Sequence, residues 1–170
     1  MIKDDLVRLN AIKFGDFTLT SGKKSSYYVD IKAAETDPDF LKELAEEISK
    51  KVSAKKVGGV ELGAVPLVIA TALRMGIPYL IIRKQENMHG TRGPFIGSVK
   101  EGDRIDIIED VVTTGNSILR AVKTLRERGA IVERAICIVD REEGGSKLLS
   151  DNGIELLALV RISEVMEKKQ

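Results

Sequence analysis

A chain of 170 residues with 43% hydrophobic side chains, 27 basic and 26 acidic, is long enough for one domain with a sizeable core. A formal charge of +1 excludes a global field that would select nucleic acid or an anionic membrane, so any anion site must be local. The single cysteine, Cys137, excludes an intrachain disulfide; its apolar run, Ala135-Ile136-Cys137-Ile138-Val139, marks a buried structural thiol rather than a nucleophile.

In chain order, residues 4–12 have helix-like spacing, 18–26 form a polar turn and 27–31 are strand-like. Taken alone, this opening reads as an edge hairpin that completes the core. From residue 38 onward apolar, β-rich runs alternate with three- and four-residue spacing. Strands are expected at 57–61, 79–82, 105–109, 131–139 and 154–160, and helices at 38–52, 66–75 and 117–128. This βαβ rhythm predicts an α/β fold: a doubly wound, mostly parallel five-stranded sheet with helices on both faces. Asp37-Pro38 and Gly115 mark helix starts, and Gly76 and Gly129 helix ends. No repeat or linker interrupts the pattern, so residues 1–170 are expected to form a single domain, with 1–36 as a cap and 37–170 as the α/β core. Asp4 and Asp5 stand where a signal peptide would be basic, and the longest uncharged stretch, 62–73, falls short of the ~18 residues a membrane span needs. A soluble cytoplasmic protein is expected.

The chemistry concentrates at Glu109-Asp110-Val111-Val112-Thr113-Thr114-Gly115-Asn116-Ser117, which follows the apolar stretch 105–108 and opens into a helix-forming segment. A β-branched run ending in two acids puts carboxylates at the carboxyl edge of a sheet, where open α/β folds place ligands. The hydroxyls, glycine and first amides of the following helix suit an anion. Carboxylates for sugar hydroxyls and a turn for a phosphate together match a phosphorylated ribose. The plainer alternative is a pair of strand-end acids before an ordinary N-cap turn. Neither Gly-x-x-x-x-Gly-Lys-Ser/Thr nor Gly-x-Gly-x-x-Gly occurs, which argues against nucleoside triphosphates and dinucleotides.

The connection 83–97 is long for a compact domain and gathers Arg83, Lys84, Arg92 and the one histidine, His89. It reads either as a lid or binding loop facing the anion cradle or as a surface charge cluster. Glu61-Leu62-Gly63-Ala64-Val65, between a strand and Pro66, is an anion-capable turn or a plain strand-to-helix connection. Arg141 lies just past a strand end at Asp140, free to meet a planar carboxylate or to pair with Glu142 or Glu143.

These residues resemble a known family. The segment 107–117 is similar to the phosphoribosyl pyrophosphate (PRPP) motif of type I phosphoribosyltransferases, specifically of orotate phosphoribosyltransferases. So are the hood-like segment 17–30, the turn 59–66, Arg83-Lys84 with His89-Gly90, and Asp140-Arg141-Glu142, in family order along nearly the whole chain. The resemblance implies transfer of the 5-phosphoribosyl group from PRPP to orotate, giving orotidine 5′-monophosphate and pyrophosphate in pyrimidine synthesis. It implies that Glu109 and Asp110 hold the ribose hydroxyls, within a PRPP site formed by Val111, Val112, Thr113, Thr114, Gly115, Asn116 and Ser117. Thr113 and Arg141 would face orotate, with Tyr27 and Tyr28 stacking on or edging the pyrimidine. Glu61, Leu62, Gly63 and Ala64 would form a pyrophosphate loop of unusual peptide geometry. Arg83, Lys84 and His89 would cover the leaving group, with Lys84, His89 and Asp110 as catalytic residues. The resemblance further implies Mg²⁺, held through PRPP and water rather than by direct protein ligands, and a homodimer sharing the loop 83–97 between subunits.

The chain departs from the family pattern in three places. Asn87 stands where a second loop lysine is usual, Thr20 where many relatives have lysine, and Asn116 where glycine is common. An amide at 87 supplies no charge and no acid. Two alternatives therefore stand beside the orotate reading: transfer to another nucleobase, which needs no Arg141–carboxylate contact, and a PRPP-binding regulator with weak or no turnover.

Overall fold

The computed structural model describes residues 2–18, 22, 24–84 and 93–167. Helix Ile2–Arg8 (α1) buries Ile2 and Leu6 and ends where Asn10 adopts a positive φ of 56°, so the helix is shorter than its spacing suggested. The chain then forms an antiparallel hairpin from Ile12–Thr18 (β1) and Lys24–Val29 (β2), a two-stranded sheet separate from the main one. Strand β1 was not legible in the sequence because Lys13, Gly15 and Asp16 break its alternation and most of its residues remain partly or fully exposed.

A single turn, Ile31–Ala34 (α2), links the hairpin to helix Pro38–Ser49 (α3). Helix α3 starts as the sequence indicates. The Asp37 carboxylate accepts from the amides of Asp39 at 3.1 Å and Phe40 at 2.9 Å, and Pro38 takes a first-turn position where its missing N–H is harmless. Its apolar stripe, Phe40, Leu44, Ala45 and Ile48, faces inward.

The main sheet is built from Val57–Val60 (β3), Tyr79–Ile82 (β4), Phe95–Ile96 (β5), Asp106–Val112 (β6), Arg134–Asp140 (β7) and Glu155–Arg161 (β8). It has six strands in the order β5-β4-β3-β6-β7-β8, with β5 alone antiparallel to its neighbour. The expected five strands are all present. The additional strand, β5, is two residues long and too short to carry any period; it is held by Ile81 opposite Ile96 and Ile82 opposite Phe95. Helices Ala64–Met75 (α4) and Asn116–Arg126 (α5) connect the parallel strands, and two short helices, Gly145–Ser150 (α6) and Ile162–Met166 (α7), follow β7 and β8.

Alternation along the central strands divides the core between the two faces. Ile108, Ile136 and Ile138 pack with α3, α4 and the N-terminal segment. Ile107, Ala135 and Cys137 pack with Ile118, Val122 and Leu125 of α5. Buried Asp106 is satisfied by the amides of Ser53 at 2.7 Å and Ala54 at 3.0 Å, which ties the chain entering β3 to the start of β6. These contacts fix β3 beside β6, and the crevice between their carboxyl ends follows from that pairing.

Candidate active site

The strand order reverses at β3: the chain moves outward to β4 and returns on the other side of β3 as β6. Such a switch point opens a crevice beyond the carboxyl ends of the strands. Here it is a cavity of about 320 Å³ whose lining includes Lys32, Glu61, Gly63, Lys84, Glu109 and Asp110.

Strand β6 runs further than the sequence suggested, because Val111 and Val112 continue its pairing opposite Val139 and Asp140. The two acids therefore lie within the strand rather than at its tip. Glu109 is 7% exposed; burial first, and then the neighbouring Asp110 charge, push its carboxyl well above the usual range, with Lys84 opposing. Asp110 Oδ1 accepts from the amide of Val111 at 2.8 Å, and its Oδ2 lies 3.7 Å from Lys32 Nζ.

Past Val112 the backbone turns through Thr113 and Thr114 to Gly115, whose φ of 78° lets the chain enter α5. The first amides of α5 have no partners within the helix and point out of its N-terminus. The turn is braced from two sides. The amide of Gly145 donates to Thr113 O at 3.0 Å, and that of Arg141 to Val112 O at 2.9 Å. The Asn116 amide group donates to Thr114 Oγ1 at 3.0 Å.

Glu61, Leu62, Gly63 and Ala64 line or flank the opposite wall, and the Glu61–Leu62 peptide is cis. The Glu61 carboxylate accepts from the amide of Lys84 at 2.8 Å, joining this turn to the end of β4. Arg83 donates its backbone N–H to Pro94 O at 2.9 Å, while its buried Nε has no partner among the described residues. Arg83 and Lys84 share a smaller adjoining cavity with Ser117 and Arg120. His89 lies outside the described residues, as do Thr20, Asn87 and Arg92.

Arg141 follows β7 in a turn closed by Asp140 Oδ1, which accepts from the amide of Glu142 at 2.8 Å. Its guanidinium stands 5.1 Å from the centre of the Tyr27 ring, and Nη2 is 2.9 Å from Glu143 Oε1. Its buried Nε is without a partner. The hood strand β2 thus meets the main sheet at Arg141. Tyr28, next along the strand, points to the opposite face, where its ring is 5.8 Å from that of Phe17. The structure therefore brings Tyr27 to Arg141 and turns Tyr28 away.

Two features escaped sequence reasoning. Lys32 reaches the acid pair from α2, and Glu35, 4% exposed, lies beside Asp110 with a buried Oε1 that has no partner. Burial, then Asp110, push the Glu35 carboxyl up to about 8, Asp30 adding to the effect and Lys32 opposing it. The four-residue α2 carries no periodicity that would have announced either residue. Cys137 is fully buried, and burial raises its thiol well above the ordinary value, so it is a structural residue as its sequence context suggested.

A doubly wound sheet with an acid pair, a braced amide turn and a second loop at its switch point defines the phosphoribosyltransferase class. The profile of the phosphoribosyl transferase domain matches residues 31–152. The orotate phosphoribosyltransferase of Thermoplasma acidophilum is 60% identical over 164 residues, covering 96% of this chain and 95% of that protein. The crystal structure of orotate phosphoribosyltransferase from Aeropyrum pernix superposes with a TM-score of 0.86 at 31% identity, covering 99% of this chain and 98% of that one. That of the Mycobacterium tuberculosis orotate phosphoribosyltransferase in complex with PRPP does so with a TM-score of 0.76 at 27% identity, covering 97% and 96%. The chain belongs to the phosphoribosyltransferase family, within its group of orotate phosphoribosyltransferases.

Proposed function

We propose that this chain is a Mg²⁺-dependent orotate phosphoribosyltransferase that makes orotidine 5′-monophosphate and pyrophosphate from orotate and PRPP. The observation that carries the reading is the meeting, in one crevice, of the Glu109–Asp110 pair, Ser117 in the first turn of α5 and the Glu61–Gly63 loop.

In the reaction, N1 of orotate, present as its anion, supplies the electron pair for the new bond to C1 of PRPP. The C1–oxygen bond breaks and its electron pair leaves with pyrophosphate. No general base is assigned, so rate acceleration comes from positioning and charge. Glu109 and Asp110 accept from the 2- and 3-hydroxyls of the ribose. The amides and hydroxyls of Thr113, Thr114, Gly115, Asn116 and Ser117 hold the 5-phosphate. Arg83, Lys84 and His89 neutralise the departing pyrophosphate, and closure of the loop 83–97 excludes the water that would hydrolyse the activated sugar. Arg141, seated on Tyr27, takes the orotate carboxylate in exchange for Glu143.

Among the described residues no three or more His, Cys, Asp or Glu side chains are grouped to hold a metal ion. The acidic crevice suits a cation carried on the oxygens of PRPP and water. When bound, Mg²⁺ spreads the charge developing on pyrophosphate.

The reading extends to a single catalytic domain whose residues 1–36 act as a hood, working in the cytoplasm as a homodimer that shares the loop 83–97. No helix among the described residues is long and apolar enough to cross a membrane. A spectrophotometric assay with PRPP and Mg²⁺, run in parallel on orotate, uracil and adenine, tests the function. Consumption of orotate alone supports it; consumption of another base, or PRPP binding without turnover, replaces it by one of the two alternatives.

A further inference from the structure

The carboxylates behind the cradle are crowded. Among the described residues, Asp30, just past the hood strand, has a buried Oδ1 without a hydrogen-bond partner, and Glu35 likewise has a buried Oε1 without one. Glu109 and Asp110 stand in front of them on β6, with Glu61 on the facing loop. Like charges sharing one crevice repel, so an Asp110 carboxylate that is to accept from a ribose hydroxyl has to be held toward it. Two lysines oppose the crowding: Lys84, which acts at Glu109, and Lys32, which acts at Glu35 and lies 3.7 Å from Asp110 Oδ2 and 4.0 Å from Asp30 Oδ1. Lys84 sits at the mouth, two residues past β4, and is already assigned to the leaving group. Lys32 sits on the hood side, on α2 directly after β2.

We propose that Lys32 is a positioning residue for PRPP: from the hood-side helix its ammonium, 3.7 Å from Asp110 Oδ2, holds that carboxylate aimed at the ribose. This rests on the proposed function only in taking Asp110 as the ribose acceptor. The lysine's partners are Asp30 and Asp110, so acting through Asp110 its removal weakens PRPP binding and leaves the bond-breaking step nearly intact. Because Lys32 follows the hood strand, it also ties hood position to cradle charge, and the base-covering and sugar-holding parts of the site form one connected unit.

The test compares wild type, Lys32→Met and Lys32→Arg for PRPP binding by calorimetry with Mg²⁺, and for KM and kcat with orotate. Loss of the ammonium leaves the Asp110 carboxylate without the partner that aims it, so in Lys32→Met the Kd for PRPP rises about tenfold. The KM for PRPP follows, kcat changes by less than about threefold, and Lys32→Arg restores the affinity. Unchanged PRPP affinity in Lys32→Met, or an arginine variant no better than methionine, overturns the proposal. So does a kcat loss with PRPP affinity intact. Wild-type protein that binds PRPP without consuming orotate defeats the proposed function while the Lys32 comparison still reads out in Kd; wild-type protein that does not bind PRPP defeats both.

Discussion

Gly63 lies directly against the carboxylate of Asp110, with no space between them for a β-carbon. A loop expected to face pyrophosphate is therefore packed onto the acid expected to face ribose, and the two halves of the PRPP site set each other's position. Gly63→Ala drives a methyl group into the Asp110 carboxylate. The expected result is a rise of at least about tenfold in the KM for PRPP with a much smaller change in melting temperature, since the site is at the crevice and not in the core. Steady-state kinetics beside a thermal melt checks this, and equal KM values contradict it.

Glu35 gives stability a pH dependence. The unfolded side chain releases its proton near the ordinary value of 4.5, whereas the folded one keeps it to about 8. Below 4.5 both states are protonated and there is no penalty; between the two values the folded state binds the extra proton, so stability falls as pH rises, and above about 8 the loss is complete. Glu35→Gln removes this titration. Its melting temperature relative to wild type should climb steadily from pH 5 to pH 8.5, and a constant difference over that range contradicts the assignment.

Arg141 is expected to hold the base by its carboxylate. Lysine keeps the charge but loses the planar fork and the stacking on Tyr27. Arg141→Lys is expected to raise the KM for orotate roughly thirty- to hundredfold, the loss of about 2–3 kcal/mol for a charged hydrogen-bonded pair, with PRPP affinity unchanged. Parallel titrations of the two substrates make the comparison, and a loss shared equally by both contradicts it.

Asn87 stands where the family usually has a loop lysine. Asn87→Lys should raise turnover by about tenfold or more if charge over pyrophosphate limits the rate, because one well-placed donor is worth that much or more in transition-state stabilisation. An unchanged kcat contradicts the loop argument.

The parts of this molecule that were legible in sequence are those governed by local rules. Asp37-Pro38 starts α3, Gly76 ends α4 in the left-handed conformation, and the apolar runs between helical segments give all the parallel strands. The cradle was legible for the same reason: its acids, turn and helix start are contiguous, so spacing alone places them together. What sequence could not give depends on contacts between distant segments. Strand β5 exists only through its pairing with β4, and Tyr27 differs from Tyr28 only because β2 turns one face toward Arg141. Lys32 reaches Asp110 from 78 positions away, across a fold that no local pattern encodes.

The central claim, that the acid pair and the amide turn of one strand–helix junction hold the phosphoribosyl group, is tested most directly by a crystal structure with orotidine 5′-monophosphate. The account predicts the phosphate on the amides of residues 113–117, the ribose hydroxyls on Glu109 and Asp110, and the base carboxylate on Arg141. A nucleotide bound elsewhere, with this crevice empty, would contradict it.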